Sequence, residues 1–80
     1  MTKFILIKTT HNTNIMVNVD SIESILDQKD RITMVLNTRN DDNNEQAFYD
    51  FKYNFKTLVY EINNMCLNNI AFLDTTIERK

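Results

Sequence analysis

His11 is the one histidine of this 80-residue chain. Imidazole is the side chain best suited to moving protons or binding a metal near neutral pH. Either task needs partners that converge on the ring. The segment Thr9 to Asn14 around it offers only hydroxyls and amides, so His11 reads as a solvated turn residue. Asp41, Asn43 and Glu45 alternate as at the start of a calcium loop. That loop also needs a glycine at its sharp bend and a bidentate glutamate at the end of about 12 residues, and both are missing. Asp20 with Glu23, or Asp27 with Asp30, could be paired carboxylates for acid–base work. Such pairs must face each other across a substrate cleft, whereas these belong to turns and hairpin rims. The reading expects no catalytic residue, no metal and no cofactor.

Basic residues interleaved with aromatic ones suggest a different chemistry. Lys52 and Lys56 alternate with Tyr49, Phe51 and Tyr53, and Arg31 and Arg39 add two further cations. Rings exposed on a sheet beside such charges can stack bases. The same ring positions suit a core beneath a helix, and Asp50 with the acids at 41–45 offsets the charge. Net charge is −2 and the pI about 5.2, so nothing draws the whole chain toward nucleic acid or an anionic membrane. Nucleic-acid binding through Arg31, Arg39, Lys52 and Lys56 is the alternative function.

The element that would position these groups is Asn54 to Asn68. Phe55, Leu58, Val59, Ile62, Met65 and Cys66 recur at spacings of three and four, the period of one helix face. Asn54 is placed to cap the first turn. Cys66, on that apolar face, is expected to be a buried, inert thiol. Being the lone cysteine, it excludes an internal disulfide and points to a reducing compartment.

Short β-rich runs precede the helix. Phe4 to Lys8 and Ile15 to Val19 flank the polar turn as a hairpin. Pairing Lys8 near Asn14 puts Ile5, Ile7, Ile15 and Val17 on one face and Phe4, Leu6 and Met16 on the other. Ile22 to Asp27 and Arg31 to Thr38 form a second hairpin. A three-residue loop, Gln28-Lys29-Asp30, would set Ile22 against Leu36, Ser24 against Met34 and Leu26 against Ile32, with Asp30 taking the left-handed position. Arg39 to Gln46 is wholly polar and reads as an exposed connection. Ala47 to Tyr53 returns as a strand. Ile70, Phe72 and Leu73 could prolong the helix or form a last edge strand, and residues 74–80 are expected to fray.

The chain contains neither glycine nor proline. Turns must use Asn and Asp, which tolerate left-handed backbone better than other residues with a β-carbon; an AT-rich genome would give the same asparagine bias. Eighty residues suffice for one domain, 1–80, near the lower limit of a self-sufficient core. The apolar run at the N-terminus is too short for a signal peptide or a membrane span. A cytoplasmic protein, of a bacterium or acting inside one, is expected.

Asn18-Val19-Asp20-Ser21-Ile22-Glu23-Ser24-Ile25 resembles the N-x-D-x-I-x-x-I step of small flagellar FlbD-like proteins. In that family the step is followed by an I-x-x-x-L strand, here Ile32 to Leu36, and then by a strand and a capped helix, here Phe51 to Ile62. The same order is similar to the first half of a LytTR domain. The resemblance spans about Ile15 to Met65, rests on hydrophobic and turn positions, and implies a topology without implying site residues.

The fold expected is α+β: a small antiparallel sheet of four to five strands, two hairpins plus a strand, covered on one face by the helix at 54–68. A helix on one side leaves Phe4, Leu6 and Met16 on the other. Either the segment Ile70 to Ile77 covers them, or they meet another protein or a second copy. The function expected is non-catalytic binding to a protein. An accessory protein of a bacterium, plasmid or phage, including an inhibitor of a host factor, fits that reading.

Overall fold

The computed structural model describes residues 2–39 and 46–77. Strands β1 (Phe4–Lys8), β2 (Asn14–Asn18), β3 (Ile22–Gln28), β4 (Arg31–Arg39) and β5 (Gln46–Phe51) precede helix α1 (Phe55–Leu67), and β6 (Phe72–Asp74) follows it. The fold is α+β, but the expected single sheet is two sheets of three strands, ordered β2-β1-β6 and β3-β4-β5. The split falls at a 3-10 turn, Val19–Ser21, which redirects the chain between the hairpins. Asn18 nucleates that turn, its side chain accepting from the Asp20 amide at 2.9 Å. The sheets meet again where Thr9 bridges Phe51.

β1 and β2 pair in the register the hydrophobic pattern demands. Lys8 faces Asn14, Ile7 faces Ile15, Leu6 faces Met16 and Ile5 faces Val17. Their connection is the five residues Thr9 to Thr13, in which the Asn12 amide donates to the Thr9 carbonyl and Asn12 holds φ at 64°. Asparagine here stands where such loops ordinarily use glycine.

The second hairpin departs from expectation. Ile22 does face Leu36, but Ser24 faces Val35, Ile25 faces Met34, Leu26 faces Thr33 and Asp27 faces Ile32. An irregularity between Ile22 and Ser24 absorbs one residue of β3. The bulge lets Ile22 and Ile25, three apart, both pack on the core. Two residues, Lys29 and Asp30, make the loop, and neither has positive φ. Asp30 therefore does not take the left-handed position expected of it. Besides Asn12, the described residue with positive φ is Asn69.

One core joins both sheets and the helix: Ile5, Ile7, Val17, Ile32, Met34, Leu36, Phe51, Leu58 and Met65 are all buried. The helix begins and ends as its sequence dictates. Asn54 accepts from the Thr57 amide at 2.9 Å and from the Thr57 hydroxyl at 3.0 Å. At the other end Asn69 turns left-handed, at φ 54°, and the Ile70 amide donates back to the Met65 carbonyl at 2.9 Å, a Schellman-type stop. Asn54→Ala should lower stability by about 1 kcal/mol, read as a shift in the urea midpoint at unchanged slope.

The helix face is centred differently from the apolar stripe. Leu58, Glu61 and Met65 are its buried residues, Phe55 and Ile62 are half-buried, and Val59 and Cys66 are exposed. The thiol of Cys66 is thus not buried. Helix rotation carries Val59 and Cys66 to the flank, while Glu61 takes a core-facing place. Its carboxyl accepts from the Tyr53 hydroxyl, which satisfies the burial of both groups.

An uncovered apolar face on the first sheet

The alternation of β1 fixes what each side of the first sheet carries. Ile5 and Ile7 point into the core, so Phe4, Leu6 and Lys8 point away from it. Leu6 lies opposite Met16, which is 56 % exposed. Phe4 and Leu6, on the central strand with neighbours on both sides, are half-buried, and neither belongs to the core cluster.

The C-terminal segment decides whether this face is covered. It does not cross the face. β6 instead pairs in parallel with β1, Phe4 beside Phe72, Ile5 beside Leu73 and Leu6 beside Asp74. Leu73 accordingly packs against the core, while Phe72 joins the outer face, 45 % exposed. The pairing is anchored at both ends: the Phe4 amide donates to Ala71, and the Thr75 amide and hydroxyl both donate to the Leu6 carbonyl. The segment that could have sealed the outer face widens it. Of the two alternatives open for Ile70, Phe72 and Leu73, the last edge strand is the one formed, at Phe72–Asp74; its parallel pairing with the N-terminal strand, which brings Phe72 to the outer face, leaves no local periodicity.

Phe4, Leu6, Met16 and Phe72 thus form one apolar surface spanning three strands. Met16 lies on the edge strand β2, which contains neither lysine nor proline, so its outer edge lacks the usual guards against strand pairing.

The basic candidates are arranged otherwise. Phe51 is buried and Tyr49 and Tyr53 pack against the core, so the rings between Lys52 and Lys56 are turned inward. Both lysines are exposed. The Arg31 guanidinium lies 3.9 Å from the Asp50 carboxylate, which also accepts from the Thr33 hydroxyl at 2.6 Å. The side chain of Arg39 lies outside the described residues, as do Asp41, Asn43 and Glu45.

His11 has neighbours that sequence distance concealed. It lines a cleft of about 350 Å³ with Thr9, Thr13, Ile15, Phe48, Tyr49 and Asp50. Asp50 in that cleft is engaged by Arg31 and Thr33. Among the described residues, no group of three or more His, Cys, Asp or Glu could hold a metal ion, and no helix is long and apolar enough to cross a membrane.

No family model matches the chain, and neither a curated protein nor a solved structure is similar to it.

Proposed function

We propose that this chain is a non-catalytic binding protein that docks on another protein through the outer face of its first sheet. The reading rests on one observation: Phe4, Leu6, Met16 and Phe72 share a face that no described segment crosses. Burying a side chain of this kind is worth roughly 1.5–3 kcal/mol. A small domain that leaves four of them wet or half-wet gains that energy on contact. The partner should present an apolar ridge or an extended strand, the latter able to continue the sheet beyond β2. A bacterial or phage accessory role, including inhibition of a host factor, agrees with such a surface. Its location is proposed to be the cytoplasm.

Met16→Asp is the direct test, since Met16 is exposed and outside the core. The altered chain should melt within a few degrees of the original yet fail to retain the protein that the original captures from a bacterial lysate. Val59→Asp, on the exposed helix flank, should keep that capture. Sedimentation of the purified protein separates a foreign partner from a second copy, because self-association would be lost with the same substitution. Capture and mass both indifferent to Met16→Asp would remove the proposal.

A further inference from the structure

We infer that a second, polar site lies at the end of β1, built to hold a phosphoryl group of a small phosphate monoester. The cleft is about 380 Å³ and is lined by Lys8, Thr9, Thr10, Asn12, Lys52, Thr75 and Thr76. Three separate parts of the chain supply these residues. The β1–β2 loop gives Thr9, Thr10 and Asn12, the end of β5 leads to Lys52, and the segment after β6 gives Thr75 and Thr76.

The charges have one sign. Lys8 and Lys52 line the cleft and, among the described residues, no Asp or Glu does, although the chain as a whole carries −2. The acids flanking the lining segments already have partners. Asp74 accepts from the Thr76 amide at 2.8 Å and the Thr76 hydroxyl at 2.6 Å. The Asp50 carboxylate is taken by Arg31 and Thr33, while the backbone carbonyl of Asp50 receives the Thr10 amide at 2.9 Å. Two lysines whose acidic neighbours are already hydrogen-bonded attract a compact dianion, and a cleft concentrates that attraction.

The walls are fixed before any ligand arrives. The Thr75 hydroxyl donates to the Leu6 carbonyl at 2.8 Å, and the Thr13 amide donates to the Thr9 hydroxyl at 3.2 Å. The Thr9 hydroxyl keeps its own proton to donate, as do the Thr10 hydroxyl and the side-chain NH2 of Asn12. Those neutral donors beside two cations suit phosphate oxygens together with the hydroxyls of a short polyol. The volume falls in the lower range of small-molecule sites and exceeds what a bare phosphate fills. Among the described residues no aromatic side chain lines the cleft, which leaves it without a described platform on which a base could stack. A phosphorylated polyol fits these features better than a nucleic acid. The cleft borders the docking face through Lys8, two residues from Leu6 on the same side of β1, but its test reads small-molecule binding by the isolated protein and does not depend on that reading.

Titration of the 15N-labelled protein with inorganic phosphate, and then with glycerol 3-phosphate, is the experiment. Chloride at equal ionic strength is the control. Saturable shifts are expected at Thr9, Thr10, Asn12, Thr75 and Thr76, with glycerol 3-phosphate binding more tightly than phosphate. The double variant Lys8→Gln/Lys52→Gln should weaken both by at least about tenfold. Both side chains are exposed, so the fold should survive, and the circular dichroism spectrum checks that it does. Lys56→Gln should change nothing. Shifts that never saturate, that spread over every lysine, or that persist in the double variant would overturn the inference. So would a short single-stranded oligonucleotide binding the same residues more tightly than glycerol 3-phosphate, which would assign the cleft to nucleic acid.

Discussion

Phe51→Ala is expected to remove a large share of the stability of this protein at 25 °C. Phe51 is 1 % exposed, pairs with Ile32 on β4, and bridges Thr9 at the end of β1. It is the one core side chain at the junction of the two sheets. Truncating a buried phenylalanine to alanine costs about 3–5 kcal/mol, through lost transfer energy and the cavity left behind. A domain of this length has only about 4–12 kcal/mol in total. A loss of that size takes from about a quarter to all of it. Phe51→Leu, which keeps most of the volume, should cost less than half as much. Urea melts followed by circular dichroism separate the outcomes. A Phe51→Ala protein melting within a few degrees of the original would show that the sheets hold together without this ring.

The second large effect is a contrast between neighbours. Ile7→Asp should abolish folding, whereas Leu6→Asp should leave the fold standing and abolish partner binding. Ile7 is wholly buried, so an aspartate there would be an unpaired charge inside the core, costing several kcal/mol. Leu6 is one residue earlier and on the opposite face. An aspartate there keeps contact with water and costs about 1 kcal/mol in lost strand preference and neighbour contacts. It also places a charge at the centre of the apolar surface, where docking would desolvate it. The expected pattern is one insoluble or unfolded product beside one with a normal melt and no retained partner. Two equally unfolded products would make the outer face part of the core, and two equally competent ones would make it inert.

The parts of this architecture that were legible beforehand are those governed by local pattern. Helix limits followed from Asn54 and the three-and-four spacing, because a cap and an amphipathic stripe are properties of contiguous residues. The β1–β2 register followed from alternation alone, and with it the separation of Phe4, Leu6 and Met16 from the core side. The absence of glycine pointed to Asn and Asp for left-handed backbone without fixing the positions, which are Asn12 and Asn69 and not Asp30.

The failures have physical causes too. A β-bulge at Glu23 breaks the two-residue period, so the hairpin register could not be extrapolated from Ile22 and Leu36. Glu61 escaped notice as a core-facing residue because its partner Tyr53 lies outside the helix. Its spacing of three from Leu58 and four from Met65 was the available signal, and it also relocates Cys66 to the surface. The parallel partnership of β6 with β1 joins opposite ends of the chain, which no local pattern encodes. The cleft between Lys8 and Lys52 was hidden for the same reason.

That end-to-end partnership has a consequence for how the molecule is made. While the chain grows on a ribosome, β1 emerges first but cannot gain its second neighbour until Phe72 to Asp74 have been synthesised. During that interval Ile5 lacks Leu73 beside it, and the strand has a bare flank open to other nascent chains. Closure across nearly the whole polypeptide is entropically slow compared with zipping a hairpin. A messenger truncated before the codon for Phe72 would therefore yield a sticky, incomplete product.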